Sequence, residues 1–176
     1  RGETGAKIVY VVRNAKDTCI SYYHHVKLFE SYTGDFDDFA TLFLNESLVD
    51  APFWKHAIGY WEKRESHNLL FLKFEEMKKD MHAVIRKTAK FLGKEINDDQ
   101  IVQLSDHLSF EKMKNNPAVN FEDHINMLKD MGLGDKNGTF MRNGQVDQWK
   151  TKWSQDLIQR FDLWTKDHLE GTGLSY

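Results

Sequence analysis

Two arginines, a serine and a conformationally free glycine are the residues of this sequence best suited to holding an anion. Arg13 follows directly on the β-branched and aromatic run Ile8-Val9-Tyr10-Val11-Val12. Asn14 to Asp17 then supply turn and cap residues before a helical pattern that runs through Ser21 to Leu28. A strand–turn–helix of this kind offers free backbone N–H groups and the positive end of a helix dipole to an anion. Open α/β sheets bind ligands at that carboxyl edge of their strands. The Arg13 guanidinium adds a bidentate fork for phosphate or sulfate, and Ser21 adds a hydroxyl near the first helical turns. The same positions also fit a plainer arrangement, with Arg13 paired to Asp17 and Ser21 simply packed.

Two further segments invite the same question. Phe140-Met141-Arg142-Asn143-Gly144 precedes Trp149-Lys150. Glycine lets backbone approach a ligand closely, so Arg142 can meet the anion held by Arg13, or else remain a solvated arginine in a turn. Ser109-Phe110-Glu111-Lys112-Met113 reads as a capped helix start. Phe110 there can stack on a purine and Met113 can line the ring, unless both are core residues.

Other chemistries find little material. The single cysteine, Cys19, excludes an internal disulfide and a zinc–thiolate cluster. His24 and His25 are adjacent and leave a helix on different sides, while His107, His124 and His168 sit in polar stretches and are expected to be solvated. No metal is therefore expected. No P-loop, G-x-G-x-x-G, G-x-S-x-G or H-E-x-x-H motif occurs. The 24 Lys and Arg against 27 Asp and Glu give a net charge of −3, which offers no support for nucleic-acid or membrane-surface binding. Lys78-Lys79 reads as a solvated approach to the next helix. The longest apolar runs, Ile8–Val12 and Leu69–Leu72, are too short to span a bilayer. A lone cysteine and an N-terminus without a signal-peptide pattern fit a reducing, cytoplasmic setting.

The positioning elements follow from periodicity. Ile8–Val12 and Leu69–Leu72 lack polar alternation, as strands buried on both faces do. Asp35 caps a helix with Phe36, Phe39, Leu42 and Phe43 at helical spacing, and Asp50-Ala51-Pro52 starts another in which Trp54, Ile58 and Trp61 share a face. Asp80 caps a helix that Gly93 ends. Asn97 and Ser109 cap two short helices, and Ser154 caps the last, with Leu157, Ile158, Phe161 and Trp164 inward. Residues 117–139 read as a long loop. Two strands and about six helices make an α/β chain in which helices dominate. Two parallel strands alone are marginal, and the chain starts abruptly without Met. The expectation is a C-terminal portion of a larger domain, completed by N-terminal strands.

Taken together, these segments resemble the cytosolic sulfotransferase family. Tyr10-Val11-Val12-Arg13-Asn14-Ala15-Lys16-Asp17 with Ser21-Tyr22-Tyr23-His24 is similar to the family's 3′-phosphate segment. Phe74-Glu75-Glu76-Met77-Lys78, Ser109–Pro117 and Phe140-Met141-Arg142-x-Gly144 with Trp149-Lys150 resemble three further family motifs in the same order. Val119-Asn120-Phe121-Glu122-Asp123 resembles arthropod members. The resemblance implies the P-loop-like parallel-sheet fold of that family. It also implies 3′-phosphoadenylyl sulfate (PAPS) as cosubstrate and sulfuryl transfer to a hydroxyl or amine of a small molecule such as a phenol, alcohol, steroid or amine. Arg13 and Ser21 would hold the 3′-phosphate, with Arg142, Asn143 and Gly144 closing over it. Phe74, Leu108, Phe110 and Met113 would surround the adenine. His25 falls where the family often has an acceptor-pocket phenylalanine, and the loop 119–139 would cover the acceptor.

The family's 5′-phosphosulfate loop, catalytic lysines and general-base histidine lie upstream of the matching segments. The resemblance therefore implies no catalytic residue in residues 1–176 and no transfer by this stretch alone. Several positions depart from the family pattern. Phe74 stands for a tyrosine, Leu108 for a threonine and Asn143 for a lysine. The first loses one hydrogen bond to the base, worth about 1 kcal/mol. The last removes a positive charge from the clamp. These losses keep open an alternative, a catalytically inactive nucleotide-binding relative. The family's dimer segment is also degraded, reading Lys150…Ser154-Gln155…Gln159, which leaves open whether the family's homodimer forms.

Overall fold

The computed structural model describes residues 5–176. In chain order the elements are β1 (Ile8–Val12), α1 (Ala15–Phe29), α2 (Phe36–Leu44), α3 (Phe53–Trp61), β2 (Leu69–Lys73), α4 (Phe74–Lys79), α5 (Met81–Leu92), α6 (Asp98–His107), α7 (Phe110–Lys114), α8 (Pro117–Asn120), α9 (Glu122–Asp130), a 3₁₀ turn (Gln148–Thr151) and α10 (Gln155–Leu169). Among the described residues the sheet has two strands, β1 parallel to β2, with Ile8 opposite Leu69 and Val12 opposite Lys73.

The caps account for most helix boundaries. Asn14, Asp35, Asp80, Ser109 and Ser154 each accept a backbone N–H from the first turn of their helix. Asn97 and Gln100 form a reciprocal capping box. Gly93 ends α5 in the left-handed region, at φ 70°. The helix after Asp50 starts later than its sequence implies, at Phe53, with Pro52 in extended backbone before it. The largest buried side chains of the main core come from three helices: Phe39 of α2, Trp54 of α3 and Phe161 of α10 are all fully buried. They pack against the face of α1 that carries Cys19 and Val26.

Four sequence expectations are corrected. Residues 117–139 are not a loop throughout, because α8 and α9 lie within them. Phe121, Ile125 and Leu128 have helical spacing, and Ile125 is buried. The helix count exceeds six, since α4 and α8 have only six and four residues and leave no periodic trace. β1 is not buried on both faces: Ile8, Val9 and Val11 are exposed while Leu69 to Leu72 of β2 are buried. The reason is coverage, since Val9 and Val11 face an open groove lined by Met81, Ile85 and Leu92 of α5 and Leu104 of α6. His168 is half-buried rather than solvated, its Nδ1 2.8 Å from the Trp164 carbonyl and its Nε2 3.4 Å from Glu46. His107 and His124 are exposed as expected.

No described helix is long and apolar enough to cross a membrane.

Candidate functional site

The site is built at the carboxyl end of β1, where a buried strand residue gives way to a charged one. Val12 is buried and Arg13 follows at the turn into α1. Asn14 caps the helix by accepting from Asp17 N–H at 2.9 Å. Its own backbone N–H and its Nδ2 donate to Glu75 Oε1 at 2.9 and 2.8 Å, which ties the start of α1 to α4 beyond β2.

Asp17 is fully buried, one turn into α1. Its carboxylate accepts the backbone N–H groups of Asp147 at 2.7 Å and Gln148 at 3.0 Å. It also accepts from Asn14 Nδ2 at 3.0 Å and lies 3.4 Å from Arg13 Nη2. The turn after Gly144 is thereby docked onto α1 from far along the chain. Lys16 supports the same docking: its ammonium sits 4.0 Å over the Trp149 ring and pairs with Asp162 of α10.

Arg13 is held on three sides and left open on a fourth. Nη2 donates to the Gln145 carbonyl at 2.6 Å, and the guanidinium lies 4.6 Å over the Phe74 ring. Its Nε is buried, and among the described residues nothing accepts its proton. Arg142 lies close enough that burial first, and the Arg13 charge second, push its pKa below the ordinary arginine range. Two guanidiniums thus share a partly buried region in which Asp17 is the carboxylate that offsets them.

A cavity of about 360 Å³ opens here. The structure brings together in its lining all nine residues that the sequence singled out for the nucleotide: Arg13, Ser21, Phe74, Leu108, Phe110, Met113, Arg142, Asn143 and Gly144. They come from β1–α1, α4, the α6–α7 junction and the turn before the 3₁₀ segment. The lining also contains residues the motif reading did not assign, among them Lys78, Met81, Phe140 and Gln148. Lys78 is exposed, as its solvated reading expects, and it also stands on the cavity wall. Asp17 was legible only as a partner of Arg13, because nothing local points to a backbone 130 positions away.

The cavity has two chemical sides. Phe74, Leu108, Phe110 and Met113 make an apolar wall suited to a flat ring. Arg13, Lys78 and Arg142 supply three cations, and no carboxylate belongs to the described lining. Gly144 shows why this wall needs glycine. Its φ is 57°, and a Cβ built there would stand 2.7 Å from Phe110 Cδ2. Among the described residues Asn143 makes neutral hydrogen bonds: its Nδ2 donates to Gln148 Oε1 at 3.1 Å and its Oδ1 accepts the Gln145 N–H at 3.3 Å. The arrangement can hold an aromatic anion, and it presents no histidine or carboxylate among the described lining residues for proton transfer.

His25 does not join this cavity. It lines a second one, also about 360 Å³, with Tyr22, Phe43, Leu48, Asp50 and Phe53. Ser21 lines both, so the two cavities adjoin. His24 points elsewhere; burial, then Arg142, Lys152 and Lys27, push it down to about 4 against the pull of Asp135.

Comparison with known proteins shows the family of the chain. Residues 3–173 match the family model described as the sulfotransferase domain. The chain is 47% identical over 171 residues to luciferin sulfotransferase of Photinus pyralis, covering 97% of this chain and 46% of that protein. It is 32% identical over 176 residues to human sulfotransferase 1C2, covering 99% and 58%. The Photinus pyralis relative fits the expectation of an arthropod-like member of the family. Among solved structures, retinol dehydratase in a complex with retinol and PAP superposes with a TM-score of 0.89 at 34% identity, over 97% of this chain and 49% of that one. Mouse sulfotransferase SULT7A1 complexed with PAP gives 0.77 at 28%, over 94% and 59%. The chain spans about half the length of the curated relatives it matches. With the family model covering nearly every residue, and with these likenesses at both the sequence and the fold level, the chain belongs to the sulfotransferase domain family.

Proposed function

We propose that this chain supplies the 3′-phosphate and adenine site of a PAPS-dependent sulfotransferase acting on a hydroxyl or amine of a small molecule. The observation that carries the proposal is the cavity at the end of β1, with three cations and no carboxylate in its described lining in a chain of net charge −3. Like charges gathered in a partly buried site are costly unless anions offset them, and Asp17 supplies one carboxylate against the cations Arg13, Lys78 and Arg142. Arg13 Nε, buried and without an acceptor among the described residues, is a donor that such an anion can pair. The apolar wall of Phe74, Phe110 and Met113 suits the base of the same molecule, and retinol dehydratase and mouse SULT7A1 were solved in complexes with PAP. In the reaction the bond from sulfur to the phosphate oxygen breaks and a bond to the acceptor oxygen or nitrogen forms, leaving adenosine 3′,5′-bisphosphate. The acceptor proton needs a base. Residues 13–148 contribute binding and orientation of the nucleotide.

The test is calorimetric titration of the natural gene product carrying this sequence with adenosine 3′,5′-bisphosphate and with adenosine 5′-monophosphate. Binding that weakens at least tenfold without the 3′-phosphate supports the assignment. Equal affinity for the two overturns it. Tight bisphosphate binding with no sulfate ester formed from PAPS would assign the protein instead as an inactive nucleotide-binding relative. The loss of charge at Asn143 motivates that reading.

A further inference from the structure

The second cavity has an apolar part and a polar part, the latter made by Thr18, Ser21, Tyr22, His25 and Asp50. Phe43, Leu48 and Phe53 make the apolar part. Asp50 is the one carboxylate in the described lining, and Tyr22 stands beside it. The Tyr22 ring meets the buried Phe39 edge-on, with centroids 5.5 Å apart and an interplanar angle of 77°, so its hydroxyl is held in place. That Oη is buried and, among the described residues, has no hydrogen-bond partner. Burial first, then the Asp50 carboxylate, raise the phenol above its ordinary range; the Asp50 backbone close by works against them, and Glu30 adds to the same negative field. A buried hydroxyl left unpaired is costly, and a ligand group that pairs it recovers that cost.

We infer that this cavity takes an apolar acceptor carrying a second group with an N–H or O–H donor, which pairs with Tyr22 Oη and the Asp50 carboxylate, while an acceptor with a carboxylate at that end is rejected. The inference rests on the proposed function only in naming the ligand an acceptor. Hydroxyl and ammonium share the donor chemistry, and the experiment separates them.

The protein, saturated with adenosine 3′,5′-bisphosphate, is titrated calorimetrically with four phenols that differ only in a propyl, hydroxypropyl, ammoniopropyl or carboxypropyl tail. Asp50 is exposed, so its pairing is screened. The expected gain for the hydroxyl and ammonium tails over propyl is about fivefold, with the carboxylate tail weakest. Asp50→Asn removes the ammonium advantage and keeps that of the hydroxyl; Tyr22→Phe removes the hydroxyl advantage. Equal affinities for the four tails, absence of binding by all four, or a ranking unmoved by both substitutions overturns the inference. Because the readout is binding, a failure to form sulfate ester from PAPS counts against the proposed function and leaves this ranking intact.

Discussion

The carboxylate of Asp17 accepts the backbone N–H of Gln148 at 3.0 Å, joining the first turn of α1 to a turn 131 residues further on. With the second bond from Asp147, this contact holds the Arg142–Gly144 strip against Arg13. Asp17→Ala leaves the buried Gln148 N–H and the part-buried Asp147 N–H without their acceptor and removes the carboxylate beside Arg13. The expected cost is about 2–4 kcal/mol of stability, read as a lower urea midpoint. Asp17→Asn keeps an acceptor and should cost roughly half as much. If Asp17→Ala leaves both the midpoint and bisphosphate affinity unchanged, Asp17 does not position the loop.

Arg13→Ala tests the anchor itself. The side chain contributes a part-buried guanidinium whose Nε is buried and, among the described residues, has no acceptor. Its removal should weaken adenosine 3′,5′-bisphosphate binding by about 2–4 kcal/mol, as when a buried charged pair loses one member. Calorimetry that shows less than a tenfold change would rule Arg13 out as the main phosphate contact.

Gly144→Ala adds a methyl 2.7 Å from Phe110 at a positive φ. Both the clash and the left-handed backbone act against it, at about 1–3 kcal/mol of local strain. The Phe110 ring must shift, so nucleotide affinity should fall more than global stability does. A double variant with Phe110→Ala relieves the clash and should recover part of the stability but none of the affinity.

His24 makes stability depend on pH. Its folded pKa of about 4 lies below the ordinary histidine value. Between those values the unfolded chain binds the proton that the folded chain refuses. Stability contributed by neutral His24 is therefore present above about pH 6.5 and is lost as pH falls toward 4. The ring is half-exposed, so solvent screening limits the loss to about 1 kcal/mol. The check is the difference in urea midpoint between the protein and His24→Gln across that window, which should narrow as pH drops.

The sequence by itself determined the local features. Cap residues at Asn14, Asp35, Asp80, Asn97, Ser109 and Ser154 set most helix starts, because a cap acts on the turn next to it. The ordered motifs carrying Arg13, Phe74, Phe110 and Arg142 pointed to the family and to the residues that line one cavity. Short elements such as α8 left no periodic trace, and the open face of β1 could not be read from a uniformly apolar run, since burial depends on what lies across from it. Only the tertiary structure decided that Asp17 holds a distant backbone, that Lys78 joins the cavity wall and that Tyr22 ends in a buried hydroxyl without a partner among the described residues. Those contacts join groups far apart in the chain, and their strength comes from burial and geometry that arise only when the elements pack.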